Sequence, residues 1–342
     1  MSEHKSFHLR PALAGNATLR ALLVTAALAI PGLSWAQDDC AAIAPEFPSR
    51  PINLVVGFPA GGQTDQVGRI LAAAMSERIK QPVMVDNRGG AAGTIGAAAV
   101  ARSKGDGYTL YLATVGTQTI QPSLMTNLPY DSLKAFAPVA YVTTAPMVFV
   151  ARADSSARSI NDMINVQKTR QASIALPGIG TAPHMASALL ENIARFKALG
   201  VQYRGNAPAL NDLLGGQVDF MVDSVTTALP HIKSGSLRAL GVSSKERSAV
   251  IPDVPSVSEQ VPGYPDVGAW WGIVAPAATP EPIVRKLHCE INSVLADPAV
   301  QEKFKALGSN PGTMSIAQFS DLIQREHATW KKVIEEANIK LD

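Results

Sequence analysis

Two glycine-rich segments follow predicted strands and have the composition of anion-binding loops. The first, Gly57–Thr64, reads Gly-Phe-Pro-Ala-Gly-Gly-Gln-Thr and comes after the apolar run Ile52–Val56. It nearly matches the phosphate loop Gly-x4-Gly-Lys-Thr, but Gln63 replaces the lysine that meets the β- and γ-phosphates. Nucleotide hydrolysis is therefore disfavoured. The glycines still let the main chain approach an anion at a helix start, although a plain strand-to-helix turn is the alternative.

The second segment, Asn87–Gly96, has three glycines before a small-residue helix at 94–101. Two such loops after consecutive parallel strands meet at the carboxyl edge of the sheet, where open α/β sheets bind ligands. Backbone N–H groups at two helix starts suit a ligand with an anionic group, which we expect to be a carboxylate.

Polar side chains lie in four further segments, three of which follow predicted strands. Thr114 and Gln118 belong to one cluster, Thr181 to a glycine-rich segment at 177–184, and Tyr203 to a segment at 203–207. For Thr181, capping of a helix is the commoner alternative. Asp223 closes a strand, so its carboxylate is expected to accept a hydrogen bond from a ligand hydroxyl or amine, or to orient a loop.

Motifs for catalysis or metal binding are not found. The sequence has no Gly-x-Ser-x-Gly and no His-Glu-x-x-His. The four histidines after residue 36 have no metal-ligand spacing with other donors. We expect no catalytic residue, metal or cofactor, and we interpret the chain as a binding protein rather than an enzyme.

The hydrophobic pattern predicts the elements that position these loops. Near-continuous apolar runs, typical of strands buried on both faces, lie at 52–56, 83–85, 109–114, 139–142, 147–150, 174–176, 218–222, 237–242 and 270–275. Apolar residues at helical spacing lie between them, with helices expected near 67–75, 184–198 and 207–214, and two more in the tail. The alternation predicts an α/β layer fold, and its restart near residue 147 predicts a second domain joined through ordered strands.

The N-terminus has the pattern of an export signal. Basic residues precede the uncharged run Ala21–Ile30, and Ser34-Trp35-Ala36 provides small residues before a cleavage site after Ala36. The run is shorter than the roughly 20 residues of a membrane anchor. Cleavage would leave a formal charge of zero, which argues against nucleic-acid binding.

Composition and cysteine content exclude several classes of protein. The 342 residues are 46% hydrophobic and 17% charged, which excludes collagen-like, coiled-coil and disordered chains. Two cysteines exclude a disulfide-dense scaffold. An oxidising compartment would allow Cys40 to bond Cys289 on a C-terminal helix, with two free thiols as the alternative.

The sequence resembles the Bug receptors, the extracytoplasmic solute-binding proteins of tripartite tricarboxylate transporters. Matching stretches lie at 51–65, 85–96, 107–122, 205–219 and 275–280. The resemblance implies a two-lobed periplasmic-binding-protein fold of the Venus flytrap, type II-like kind. It further implies a signal peptide at 1–36, a first domain at 37–143 and 269–342, and a second at 144–268.

The resemblance also implies a ligand and the residues that hold it. Family ligands include aliphatic di- and tricarboxylates and aromatic carboxylates such as terephthalate-like compounds. The residues carried over onto this chain are Phe58, Ala60, Gly61, Ala92, Gly93, Thr94, Thr181, Tyr203 and Asp223. Asp65 suits a cleft role or a helix-dipole role equally well. Family members often have glycine where this chain has Ala92, which is expected to alter how closely that loop approaches the ligand.

The implied partners are a small carboxylate and the membrane subunits of the transporter, with the receptor a periplasmic monomer. Lobe closure around the ligand would create the surface that those subunits read. Two alternatives stay open: a ligand-dependent sensor partner for a two-component system, and an exported enzyme on the same fold.

Overall fold

Ten strands form one curled sheet through the described part of the chain. The computed structural model describes residues 40–125 and 127–339, so the predicted signal peptide lies outside the described residues. The strands are β1 Ile52–Val56, β2 Val83–Asn87, β3 Thr109–Thr114, β4 Phe136–Arg152, β5 Ser173–Leu176, β6 Leu199–Gln202, β7 Phe220–Ser224, β8 Leu237–Val242, β9 Gly268–Pro276 and β10 Asn310–Pro311.

Helices cover both faces of this sheet. They are α1 Gln63–Ile79, α2 Thr94–Ala101, α3 Gln121–Leu124, α4 Ile160–Thr169, α5 Ala182–Ala194, α6 Asn206–Leu214, α7 Val225–Lys233, α8 Val257–Gln260, α9 Glu281–Ala296, α10 Pro298–Ala306 and α11 Ile316–Glu336. Among the described residues, no helix is long and apolar enough to cross a bilayer.

The strand order divides the sheet into two halves. In the first half β2, β1 and β3 are parallel, and β9 joins β3 antiparallel. In the second half β6, β5 and β7 are parallel. We call the two halves, with their helices, lobe 1 (β1–β3, the first part of β4, β9, β10, α1–α3 and α9–α11) and lobe 2 (the rest of β4, β5–β8 and α4–α8). The predicted α/β fold is confirmed.

Strand β4 belongs to both lobes and corrects one prediction. It pairs with β9 from Phe136 to Pro146 and with β7 from Met147 onward. The two apolar runs at 139–142 and 147–150 are therefore one strand. The intervening Thr-Thr-Ala-Pro stretch looked like a break, yet its threonines pair with the tryptophans of β9, and proline is compatible with extended backbone.

The second passage between the lobes lies beside the first. Ser243 follows β8, and its N–H donates to the carbonyl of Met147 at 2.9 Å. Val267 precedes β9, and its N–H donates to the carbonyl of Ser243 at 3.1 Å. Adjacent crossings of this kind suit a hinge. The domain boundaries at 143/144 and 268/269 stay a prediction, and residues from Cys40 onward form one compact unit.

Two further sequence predictions can be compared with the structure. Cys40 and Cys289 form a disulfide with Cα atoms 5.7 Å apart, which confirms the bonded alternative and ties the segment before β1 to α9. Helix α5 was expected to extend to residue 198 but ends at Ala194. Arg195 adopts a left-handed conformation with φ +55°, and the chain turns there to start β6.

Candidate functional site

A cleft of about 280 Å³ lies between the loops of the two lobes. Its lining consists mostly of glycine and apolar residues, namely Gly57, Phe58, Pro59, Gly90, Ala91, Ala92, Gly93, Met125, Pro177, Gly178, Ile179, Gln202, Tyr203 and Arg204. A smaller cavity of about 40 Å³ shares Phe58 and Pro177 with it and extends toward β9. Phe58 and Pro177 therefore lie on the boundary between this outer cleft and the smaller cavity, which we call the inner recess.

The first loop of lobe 1 is held in shape by Asp65. This buried carboxylate accepts hydrogen bonds from the N–H of Gly61 at 2.9 Å, from Arg69 at 2.9 Å and from Asn87 at 2.9 Å. Asn87 also donates to the carbonyl of Phe58 at 3.0 Å. Burial raises the pKa of Asp65, but these hydrogen bonds outweigh burial and hold the pKa below its usual value.

The second loop of lobe 1 has a run of left-handed residues. Ala91 and Ala92 have φ values of +45° and +50°, and Gly93 follows at +97°. A Cβ built on Gly57 would lie 2.8 Å from the Cα of Gly93. The two loops therefore pack backbone against backbone, and only glycine fits at that contact.

The third cluster of lobe 1 is buried in a π-helical turn after β3. Thr114 and Thr117 bond each other, with their hydroxyl oxygens 3.4 Å apart. Gln121 donates to the carbonyl of Ala92 at 2.8 Å and thereby supports the second loop. Gln118 is buried, and neither of its amide atoms has a hydrogen-bond partner among the described residues.

The loops of lobe 2 use their polar groups largely to support themselves. Thr181 precedes α5, and its hydroxyl donates to the carbonyl of Gly178 at 2.7 Å. The Tyr203 hydroxyl donates to Asp212 at 2.7 Å, so the cleft meets the ring rather than the hydroxyl. Burial, together with Asp212, raises the pKa of Tyr203 to about 12.

Asp223 lies behind the cleft wall and contacts Asn206. The Asn206 amide and the Ser224 N–H both donate to Oδ1 of Asp223, whereas Oδ2 has no partner among the described residues. Burial raises the pKa of Asp223 to about 6. Asn206 itself lines the inner recess, so the carboxylate orients a residue of the wall.

Loops of the two lobes approach each other closely around the cleft. A Cβ built on Gly178 of lobe 2 would lie 3.2 Å from the Cβ of Ala92 in lobe 1. One built on Gly205 would lie 3.2 Å from the ring of Pro59. Small residues thus permit the loops of the two lobes to meet.

The electrostatics of the outer cleft favour an anion. Arg204 is the one charged side chain among the described lining residues, and it has no ion-pair partner there. Helices α1, α5 and α6 begin beside the two cavities without a side-chain cap, which leaves N–H groups of the first turn available.

The structure brings together six of the twelve predicted residues. Those on the walls are Phe58, Ala92, Gly93 and Tyr203 in the outer cleft, and Thr114 and Thr181 in the inner recess. Their contact with a ligand stays a prediction. Those not on either wall are Ala60, Gly61, Asp65, Thr94, Gln118 and Asp223.

The predicted residues that lie on neither wall make other contacts, and their role at the ligand stays a prediction. Ala60 and Gly61 lie at the exposed tip of the first loop, and the N–H of Gly61 is already bonded to Asp65. Thr94 is buried and donates to the carbonyl of Ala91 at 3.0 Å. Sequence reasoning missed Arg204 and Asn206, although both lie within the segment 203–207 that it singled out.

The fold and this cleft define a two-lobed solute-binding receptor. A family model described as "Tripartite tricarboxylate transporter family receptor" matches residues 67–339, and the chain belongs to this family. Because members of this family are receptors, the chain is not an enzyme.

Relatives of known sequence cover nearly the whole chain. Protein BugT of Bordetella pertussis is 36% identical over 93% of this chain and 99% of its own. A UPF0065 protein from the tcbD-tcbE intergenic region of Pseudomonas sp. strain P51 is 40% identical over 85% of this chain and 87% of its own.

Solved structures agree with the sequence relatives. The periplasmic binding protein BugD is 37% identical with a TM-score of 0.82, covering 86% of this chain and 99% of its own. MatC from Rhodopseudomonas palustris with bound malate is 34% identical with a TM-score of 0.80, covering 84% and 100%. An R. palustris protein with adipate is 30% identical with a TM-score of 0.83, covering 86% and 99%.

Proposed function

We propose that this chain is a periplasmic receptor that captures a small carboxylate between its lobes and delivers it to the membrane subunits of a tripartite tricarboxylate-type transporter. Membership of the receptor family supports the transport role. Relatives with bound malate and adipate support the carboxylate. The predicted signal peptide and the Cys40–Cys289 disulfide are both consistent with export to an oxidising compartment.

The observation that carries this proposal is an arginine without an ion-pair partner among the described residues, in a cleft that has no acidic side chain on its walls. Arg204 lines the cleft, and no acidic side chain is among the lining residues. A guanidinium can bind a carboxylate through two parallel hydrogen bonds. The uncapped starts of α1, α5 and α6 add N–H donors nearby.

The walls between these donors favour an apolar ligand body. The apolar lining residues include Phe58, Pro59, Met125, Pro177 and Ile179. We therefore favour a linear or aromatic dicarboxylate over a densely hydroxylated tricarboxylate such as citrate, whose polar groups would face apolar walls.

Capture follows from linkage between binding and closure. A ligand that contacts both lobes binds the closed form more tightly than the open form and shifts the population toward it. The membrane subunits would then recognise the closed surface. The receptor is proposed to work as a monomer, because the ligand is enclosed by two lobes of one chain.

A thermal-shift panel tests the proposal. Residues 37–342 would be unfolded, refolded to remove copurified ligand, and heated with adipate, terephthalate, malate, citrate, hexanoate and phosphate. A ligand at 100 times its Kd adds about 2.7 kcal/mol to the free energy of unfolding, which moves Tm by a few degrees. We expect the largest shift with adipate or terephthalate. A shift with phosphate alone would contradict the proposal. The absence of a shift with every carboxylate in the panel would contradict it as well.

Delivery needs a separate measurement. Uptake of the radiolabelled ligand would be compared in cells with and without the receptor gene, alongside the protein content of the periplasmic fraction. We expect loss of uptake on deletion. Undiminished uptake, with the protein present in the periplasm, would favour the sensor alternative.

A further inference from the structure

The first turn of α1 has buried polar contacts that reach the other lobe. Gln63 donates from Nε2 to the hydroxyl oxygen of Thr226 at 3.2 Å. The hydroxyl oxygens of Thr226 and Ser309 are also 3.2 Å apart. All three side chains are at least 96% buried, so their hydrogen bonds are shielded from competing water.

These contacts cross from one lobe to the other. Gln63 begins α1, and Ser309 precedes β10, which pairs with the lobe 1 part of β4. Thr226 lies in the first turn of α7, directly after β7 in lobe 2. Two groups from lobe 1 therefore bind one hydroxyl of lobe 2.

The same turn is tied to the strand that enters lobe 1 from the hinge. Thr64, next to Gln63, accepts a hydrogen bond from the indole N–H of Trp271 at 3.1 Å. Trp271 lies in β9 and pairs with Thr143 of β4, close to where the chain passes between lobes. The first turn of α1 thus contacts lobe 2, the hinge strand and the ligand loop that ends at Gly62.

Gln63 and Thr226, which form this contact, both lie next to the walls of the ligand site. Gln63 follows the first loop directly, and it lines the inner recess together with Asn206. Thr226 follows Asp223 and Ser224, and its N–H is capped by Ser224 at 3.0 Å. A ligand that draws the two sets of loops together would also bring Gln63 to Thr226.

We infer that Gln63 and Thr226 form a closure clasp, a buried hydrogen bond between the lobes that stabilises the ligand-bound closed state. Gln63 and Thr226 are positioning residues, because the clasp acts by raising the population of the closed form. The inference rests on the proposed function, since it presumes a receptor that closes on its ligand. It also gives a role to Gln63, the residue that stands in place of the phosphate-loop lysine.

The expected effect follows from the size of one buried hydrogen bond. Removing either partner should weaken the apparent affinity for a closing ligand by about three- to tenfold. Because the clasp exists in the closed state, the loss should appear as faster dissociation with a nearly unchanged association rate. A residue with a merely structural role would not move the dissociation rate selectively.

A double-mutant cycle tests the clasp. Gln63→Met and Thr226→Val each remove the polar group with little change of shape, and they are combined in a third variant. Adipate is the probe, with Kd from calorimetry and rates from stopped-flow. Lobe closure is followed by energy transfer between dyes at positions 104 and 245, attached through non-natural amino acids so that the disulfide stays intact. Gln324→Met and Thr329→Val, both exposed on α11, are the matched controls.

We expect each single variant to lose affinity and closed population. The double variant should lose no more than Thr226→Val alone, which also removes the contact with Ser309. Normal adipate binding with fully additive or absent effects would overturn the clasp and leave the proposed function intact. If the unmodified protein does not bind adipate, the proposed ligand fails. The clasp is then judged on the closed fraction of the ligand-free protein, where absence of coupling between the two sites would overturn it.

Discussion

Lobe 1 meets the cleft mainly with backbone, whereas lobe 2 adds large polar side chains. The lobe 1 wall is formed largely by glycine, alanine and proline around Phe58, with loops that pack against each other through Gly57 and Gly93. The lobe 2 wall carries Tyr203 and Arg204. Main-chain donors recognise a carboxylate in general, so discrimination between ligands is expected to come from lobe 2.

The difference extends to what supports each wall. In lobe 1 the ionised Asp65 is fully bonded and fixes the first loop. In lobe 2 Asp223 is buried with one oxygen unpartnered and orients Asn206. A fully bonded carboxylate stabilises its loop, whereas a buried one without a countercharge destabilises the folded chain at neutral pH.

The largest effect is expected from Gly57→Ala, which tests whether lobe 1 depends on backbone packing. The new Cβ would lie 2.6 Å from the Tyr111 hydroxyl and 2.8 Å from the Cα of Gly93, so the second loop must move. We expect a loss of about 3 kcal/mol in the free energy of unfolding and at least tenfold weaker ligand binding. Urea unfolding and calorimetry measure both.

Gly268→Ala is the matched control, because its Cβ would meet ordinary contacts of 3.7 Å and longer. The control should unfold within about 0.5 kcal/mol of the unmodified chain. Equal stability of the Gly57→Ala variant and the control would show that the lobe 1 loops tolerate displacement, and the contrast between the lobes would lose its basis.

The next effect concerns Asp223 and has a defined pH window. Its pKa is raised from 3.8 to about 6 in the folded chain, so the folded state binds more protons between those values. The free energy of unfolding contributed by this group therefore falls as the pH rises from about 4 to about 6. Asp223→Asn should be about 3 kcal/mol more stable than the unmodified chain at pH 7.

Urea unfolding between pH 3 and pH 7 measures this difference. The difference should shrink as the pH falls below about 6 and approach zero toward pH 3, where the unmodified carboxyl is largely protonated in both states. A constant difference across the whole range would mean that Asp223 does not titrate in this window, and the contrast with Asp65 would not hold.

Tyr203→Phe tests whether lobe 2 contacts the ligand through the aromatic ring of Tyr203 rather than through its hydroxyl. The hydroxyl is bonded to Asp212, so its removal should cost about 1 kcal/mol of unfolding free energy. Ligand affinity should change by less than about twofold, since the ring remains on the wall. Calorimetry with adipate decides the matter, and a tenfold loss would place the hydroxyl in contact with the ligand.

Ala92→Gly is expected to give the smallest effect. Ala92 has a left-handed φ of +50°, which costs about 1–2 kcal/mol for a residue with a Cβ. Glycine removes that cost but raises the entropy of the unfolded chain, so we expect a net gain of about 0.5 kcal/mol. A clear loss of stability in thermal unfolding would show that the alanine methyl packs favourably against Gly178.

Much of the lobe 1 fold could be predicted from the sequence. Strands β1 and β3 are continuous apolar runs, and helix α2 begins and ends where its small residues predict. Both loops lie between strand and helix, and their glycines mark the two close approaches. In these regions the local preferences agree with the tertiary structure.

The crossing between the lobes and the lobe 2 side of the cleft were harder to predict. Ala145 and Pro146 of β4 disfavour a strand locally, and pairing with β9 overrides that preference. Arg204 has the sequence appearance of any surface arginine, and only the fold places it on the cleft. The burial of Asp223 behind Asn206 depends on side-chain packing across α6 and β7, which sequence spacing does not report.

Calorimetry on one arginine variant tests the central claim most directly. The unmodified receptor, Arg204→Gln and the matched control Arg285→Gln would be titrated with adipate and with its monoamide. If Arg204 pairs with one carboxylate of adipate and helix N–H groups bind the other, the Arg204→Gln variant should bind adipate about tenfold more weakly. Its affinity for the monoamide should stay unchanged. The control's affinity for both ligands should also stay unchanged. Equal affinities of all three proteins for adipate would contradict the capture of a dicarboxylate in this cleft.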